Sequence, residues 1–172
     1  MRIYFLFLSL FLYGTVLMAQ AKARSRNVVI YGHVTETGEY CGGAMPSEEK
    51  LEYLRTPHAM SQKTIYIKYG SVNKESVPVI KKLVTDENGN FKVTLKCGKT
   101  YMFLEDWKGE PFIEPKNTEF VTWDMSCIKK RYATADFVVR TKATRNQKVI
   151  INYFVRCQFR PYCGNYTGPL PP

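Results

Sequence analysis

Histidine is almost missing from this chain, which has two, His33 and His58. His33 sits inside a β-prone run and His58 follows Pro57 in a loop, and neither is accompanied by a Ser or Cys nucleophile at a recognised spacing. A nucleophile–base pair therefore finds no anchor, and His33 reads as a face residue of a strand. Cys157 and Cys163, with no neighbouring His, make a poor zinc set, and a disulfide is the reading they favour. Also absent are internal repeats, low-complexity tracts and, after Met18, any apolar run near the roughly 20 residues a membrane-crossing helix needs. Acids are outnumbered, with 15 Asp and Glu against 25 Lys and Arg for a net charge of +10. Those bases are scattered and form no stripe, which argues against nucleic acid and for a solvated basic surface. Acidic surface polymers are the electrostatic partner such a surface suits.

What is present first of all is an export signal. Met1-Arg2 leads into an apolar run from Ile3 to Met18 that ends in Ala19-Gln20-Ala21, the layout of a secretory signal peptide cleaved after Ala21. The competing reading, an uncleaved anchor, is short of a full span. No Cys follows the run, so a lipid-modified N-terminal Cys is not expected. Residues 1–21 are thus assigned as signal and 22–172 as a single domain of ordinary size. The expected location is outside the cytoplasm: periplasmic, cell-surface or secreted.

All five cysteines (Cys41, Cys97, Cys127, Cys157 and Cys163) follow the signal, and exported cysteines mostly pair. Five is odd, so one is left over. Cys157 and Cys163 are close enough to close a small loop, and equally either could tether the tail to Cys41 or Cys127. Cys97, ahead of Gly98 in a turn between two predicted strands, is the candidate for the unpaired thiol.

The rest of the pattern is β. Val28 to Thr35 opens the domain as a strand. Pro46-Ser47-Glu48-Glu49 begins a short helix with Leu51 and Leu54 on its apolar face, stopped by Pro57. From Thr64 the period becomes two: Ile65, Ile67 and Tyr69 alternate with Tyr66 and Lys68, a half-buried strand. Val77 to Thr85 carries Pro78 near its start and reads as an edge strand. Asp86-Glu87-Asn88-Gly89-Asn90 is a turn, read as a hairpin, after which Phe91, Val93 and Leu95 point in and Lys92, Thr94 and Lys96 point out. The same turn superficially resembles a calcium loop, but Lys96-Cys97 stand where a bidentate acid is needed. Tyr101 and Phe103 continue the alternation, Glu105 to Asn117 is a loop, and Phe120–Trp123, Asp136–Thr141 and Lys148–Val155 are further strands. Met125 to Arg131 is read as one helical turn and the tail from Arg160 as extended and irregular. The fold class that follows is all-β: an antiparallel Greek-key sandwich of seven or eight strands with a short helical insertion.

Three of these motifs, in order, carry a resemblance. Val29-Ile30-Tyr31-Gly32-His33-Val34-Thr35, then Thr85-Asp86-Glu87-Asn88-Gly89-Asn90-Phe91, then Gly98-Lys99-Thr100-Tyr101 resemble the carboxypeptidase regulatory-like domains, transthyretin-like (prealbumin-like) seven-stranded sandwiches of secreted bacterial proteins. The likeness covers roughly Val28 to Leu104 and departs from the family between Cys41 and Gln62 and in the Cys-containing second half. It implies a non-catalytic accessory or binding module with no catalytic residues to transfer. Tyr40-Cys41-Gly42-Gly43-Ala44-x-Pro46 and the terminal Cys163-x-x-Tyr166-x-Gly168-Pro169-x-Pro171-Pro172 are also similar to a group of exported bacterial proteins of uncharacterised function. That second likeness implies a shared disulfide framework and brings no activity.

The functional expectation is accordingly an exported, non-enzymatic sandwich acting as an accessory, structural or adaptor module, needing no cofactor or metal. Its partner is a protein or a surface polysaccharide. The rival from another class is a carbohydrate-binding module whose exposed rings, Trp107 and Tyr166 foremost, stack on sugar faces; Trp123 is read as a core residue. A third reading is a hydrolase built from loop carboxylates, to be drawn from Asp86, Glu87, Glu105, Asp106, Glu110, Glu119, Asp124 and Asp136, though nothing in their spacing favours a pair.

Overall fold

The computed structural model describes residues 26–142 and 146–169. The predicted signal, its cleavage point and the last three residues of the tail lie outside the described residues.

Two sheets face each other. The spine of the first is β1 (Asn27–Gly38), whose Val28, Ile30 and Val34 are buried. β5 (Asn90–Lys96) runs antiparallel along its first half, from Asn27↔Lys96 to His33↔Asn90, and the two-residue β2 (His58–Ala59) continues the same edge with Thr35↔Ala59. The other edge is taken by β9 (Gln147–Val155), in register from Ile30↔Gln147 to Gly38↔Val155. This pair is parallel, against the expectation of an antiparallel fold throughout. Parallel neighbours need a long crossover between them, and here the crossover is the remainder of the domain. The second sheet is antiparallel, in the order β4 (Val79–Val84), β3 (Thr64–Tyr69), β6 (Thr100–Glu105), β8 (Phe137–Arg140). Ile65, Ile67, Tyr101, Phe103 and Val139 from this sheet meet Val28, Ile30, Val34, Phe91, Val93, Leu95, Val149 and Ile151 from the first to form the core. The all-β sandwich is thus observed, with β4 at an edge as Pro78 required.

Four local readings are corrected. The turn at Asp86–Asn90 is tight, with Asp86 Oδ1 accepting from the N–H groups of Asn88 and Asn90 (2.9 and 2.8 Å) and Gly89 at φ +73°. It is not a hairpin: β4 pairs with β3 and β5 with β1, so the turn carries the chain from one sheet to the other. Gly89 also nestles under β1, where a Cβ would come within 2.6 Å of the Val34 carbonyl oxygen, so the turn chemistry serves a corner. Second, Tyr66 and Lys68 are buried along with Ile65 and Ile67, and Met102 and Leu104 along with Tyr101 and Phe103. The outer face of the second sheet is covered, so β3 and β6 are buried on both sides. Third, the expected loop from Glu105 begins with a helical turn, α2 (Asp106–Gly109), and the expected turn at Met125 is the nine-residue helix α3 (Met125–Ala133). Fourth, the tail is not wholly irregular: β10 (Gly164–Tyr166) pairs antiparallel with β7 (Val121–Trp123). The inserted helix α1 (Glu48–Arg55) forms as read, with Ser47 Oγ accepting from Lys50 N–H at its start.

Candidate functional site: an aromatic cleft on the covered sheet

The cover over the second sheet is the segment between β6 and β8, and buried polar groups hold it down. Lys108, 3 % exposed, directs its ammonium at Asp136 Oδ1 and at the Thr134 carbonyl (3.1 Å), with Glu105 at 3.8 Å. Asp136 Oδ2 in turn accepts from Glu105 N–H (2.7 Å), so α2 is fastened to the entry of β8. Asn73, 2 % exposed, donates from Nδ2 to the Lys108 and Tyr132 carbonyls (2.9 and 3.1 Å) and accepts from Lys68 Nζ (3.0 Å), tying the β3–β4 connection to both α2 and α3. Burial pulls the Lys68 ammonium below its ordinary pKa, partly offset by Glu75 and Glu110.

Helix α3 starts at Asp124, whose carboxylate accepts from the N–H groups of Ser126 and Cys127 (2.9 and 3.1 Å). These hydrogen bonds, that from Cys127 foremost, hold its carboxyl below the usual range. From α3, Ile128 and Tyr132 turn inward while Arg131 lies along the rim. Tyr132 packs against Trp107 and Phe112, with ring centres at 6.0 and 5.0 Å, and its hydroxyl donates to the Glu110 carbonyl (3.0 Å). The opposite wall is the β7–β10 ribbon, which sets Trp123 across from Gly164. A disulfide between Cys127 and Cys163 bolts that ribbon to the first turn of α3. Tyr162 donates its hydroxyl to the Phe154 carbonyl (3.0 Å), and the guanidinium groups of Arg131 and Arg156 lie 3.7 and 4.5 Å from its ring centre.

Between these walls is a cleft of about 240 Å³ lined chiefly by Trp107, Phe112, Trp123, Ile128, Arg131 and Tyr162. Trp107 is half-buried in it. Trp123, read from sequence as core, is also half-buried and lines the cleft, because β7 joins neither main sheet. Tyr166 is elsewhere. Its ring packs on Phe120 (6.4 Å), its hydroxyl donates to the Pro169 carbonyl (3.0 Å), and it borders a separate hollow beside Cys157. The structure therefore joins Trp107 to Trp123 and not to Tyr166. Phe112 and Arg131 also line the cleft, and nothing in their sequence spacing marks them for it.

The remaining candidates have local partners. Cys41 is bonded to Cys157, so the short Cys157–Cys163 loop does not form. Cys97 is the free thiol, half-buried and 3.2 Å from the Lys142 carbonyl. His33 Nδ1 is 3.0 Å from Asn90 Oδ1, and His58 Nε2 is 2.7 Å from the Tyr53 carbonyl. Of the carboxylates, Asp86 and Asp124 cap backbone N–H groups, Glu105 and Asp136 surround Lys108, and Glu110 accepts from Tyr66. Among the described residues there is no group of three or more metal-ligating side chains and no helix long and apolar enough to cross a membrane.

No protein-family model matches the chain, and no curated protein matches it. A solved structure similar to it is a mutant of the shaft pilin spaA from Lactobacillus rhamnosus GG, at 13% identity and a TM-score of 0.36, covering 75% of this chain and 50% of the pilin. The chain spans half the length of that protein, and at this degree of likeness the all-β assignment rests on the sheets themselves.

Proposed function

We propose that the protein is an exported, non-enzymatic β-sandwich of the carboxypeptidase regulatory-like type, acting as an accessory or adaptor module at the cell envelope or outside the cell and holding its partner in the aromatic cleft. The observation that carries this reading is the cleft itself: two tryptophans and a tyrosine, drawn from three separated stretches of chain, form one concavity whose walls are joined by the Cys127–Cys163 bond. A binding surface needs rigid, half-exposed rings, and these are fixed by a disulfide, by capped helix ends and by buried polar ties. The two disulfides also favour an oxidising compartment. Asp86, Glu105, Glu110, Asp124 and Asp136 are engaged in structural contacts, which weighs against a hydrolase. Flat rings in a shallow cleft favour a carbohydrate partner over a protein one as the second reading.

A photocrosslinking experiment tests the site. Benzoylphenylalanine is placed at Ile113, 83% exposed at the cleft rim, and separately at Ile150, 68% exposed on β9. In the producing cell an adduct is expected from the first position alone and is lost when Trp107→Ala is added. Identical adducts from both positions, or adducts indifferent to Trp107, would overturn the assignment of the cleft.

A further inference from the structure

The cleft contains one cation whose hydrogen-bonding edge is uncommitted. Arg131 lays its guanidinium on Tyr162, 3.7 Å from the ring centre, and 5.6 Å from that of Trp107. Stacking of this kind engages the flat face and leaves the N–H donors free around the perimeter. The neighbouring carboxylate, Glu105, is 3.7 Å from Nη2, beyond hydrogen-bonding length, and is shared with Lys108. Among the described residues the Arg131 guanidinium donates no hydrogen bond to the protein, and the side chain is 35% exposed. The rest of the lining is apolar and largely planar.

A ligand for this arrangement needs a flat C–H face of about one ring and an anionic group at its edge. At about 240 Å³ the space is below the roughly 300–1,000 Å³ of sites that enclose a drug-sized molecule, so it suits one ring of a longer chain. A pyranose supplies the C–H face, and a uronic acid adds a carboxylate at the ring's periphery, where a guanidinium fork grips it with two N–H groups. The net charge of +10 draws a polyanion toward the surface as a whole. We propose that the cleft is a subsite for one uronic-acid residue of an acidic polysaccharide, its ring stacked on Trp107 and its carboxylate held by Arg131. This rests on the binding-module reading of the same cleft.

Affinity electrophoresis and tryptophan fluorescence with polygalacturonate and alginate, against neutral dextran and laminarin, test it. The proteins are wild type, Arg131→Gln, Trp107→Ala and a remote double variant, Lys92→Gln with Lys148→Gln, on the first sheet. Wild type is expected to bind at least one uronate polymer in preference to both neutral ones. Arg131→Gln should weaken that binding about 10- to 100-fold, the range for a charge-assisted pair, Trp107→Ala should do likewise, and the remote variant should change it less than about twofold. Equal weakening by the remote variant would mean diffuse attraction and overturn the subsite. Neutral polymers bound as tightly as uronates, with no effect of Arg131→Gln, would overturn the acidic class while leaving the cleft a binding site. Failure of all four polymers while the Ile113 crosslink persists would overturn this inference alone; loss of the crosslink as well would remove both. Should Arg131→Gln not fold, Arg131→Lys keeps the charge and removes the planar fork: weaker uronate binding supports the proposal, and unchanged binding overturns it.

Discussion

Phe91 lies with its ring over Gly32, its directly opposed partner on β1, so closely that a Cβ on Gly32 would sit 1.9 Å from Phe91 Cζ. The glycine of the opening strand and the phenylalanine after the Asp86–Asn90 turn, which the sequence presents as separate motifs, are one packing unit. Gly32→Ala must displace the ring from the core and should cost about 1–3 kcal/mol by overpacking. Urea unfolding checks this. Adding Phe91→Leu should restore part of the loss, and a wild-type midpoint for Gly32→Ala would mean that the ring moves aside freely.

The two disulfides close loops of very different size, with sequence separations of 116 and 36. On loop entropy alone the first is worth roughly 5 kcal/mol and the second roughly 4. Removing both with Cys→Ser pairs should sharply lower the thermal midpoint. The Cys127–Cys163 pair, unlike the Cys41–Cys157 pair, should also change near-ultraviolet dichroism and tryptophan emission, because Trp107 and Trp123 lie beside it. Melting curves unchanged by full reduction would refute the brace.

Tyr153 has a buried hydroxyl with no hydrogen-bond partner among the described residues, near Asp136, Glu105 and Asp106. Burial, reinforced by those carboxylates, pushes its ionisation far above the ordinary range. Tyr153→Phe removes an unsatisfied polar atom and keeps the ring, so it should stabilise the protein by about 1 kcal/mol. A destabilisation of that size in denaturant titration would instead reveal a bound water.

Asn73 makes three buried side-chain hydrogen bonds. Asn73→Ala should cost about 2–4 kcal/mol by leaving Lys68 and two carbonyls unpaired. Asn73→Asp should not rescue, since a carboxylate can answer Lys68 but cannot donate to the Lys108 and Tyr132 carbonyls. Comparing the two by equilibrium unfolding separates the contribution of Nδ2 from that of Oδ1.

The Asp124 cap gives a pH signature. Its carboxyl titrates lower in the folded protein than the value near 3.9 expected of the unfolded chain. Its contribution is therefore fully present above that value and is lost as pH falls through the lower, folded one. Near-ultraviolet dichroism followed from pH 7 to 2 should show α3 loosening only at the acid end. Asp124→Asn, which keeps an acceptor for the cap, should lack that component; an identical acid transition would assign it to another carboxylate.

Sheet alternation was legible where each strand has one wet face. Phe91, Val93 and Leu95 read as inward because Lys92, Thr94 and Lys96 intervene, and Pro78 marks its strand as an edge. Legibility ended where a second layer covers a sheet. Tyr66 and Lys68 look like solvent-facing residues, and only the cover from Asp106 to Asp136, held by Asn73 and Lys108, makes them interior. The parallel partnership of β1 and β9 was unreadable because side-chain period is the same in either direction. In the cleft, Trp107 stands out in the sequence by its polar neighbours, and the structure puts it half-buried on the cleft wall. Trp123 reads as a core residue because β7 has a strand's composition, but β7 pairs with a three-residue strand in the tail, too short to be seen in the sequence.

The Cys41–Cys157 bond has a mechanical consequence. It makes covalent neighbours of the residue just beyond β1 and the residue just beyond β9. A stretching force applied at Asn27 and Tyr166 would run along β1 and cross the sulfur bridge into the tail, where the Cys127–Cys163 bond opens a second path back through α3. β1 would resist, clamped on both edges by β5 and by β9, and β10 would resist through its pairing with β7. Strands β3 to β6 lie off the shortest covalent path and are spared the direct pull, whereas the β7–β10 wall of the cleft is loaded together with the tail.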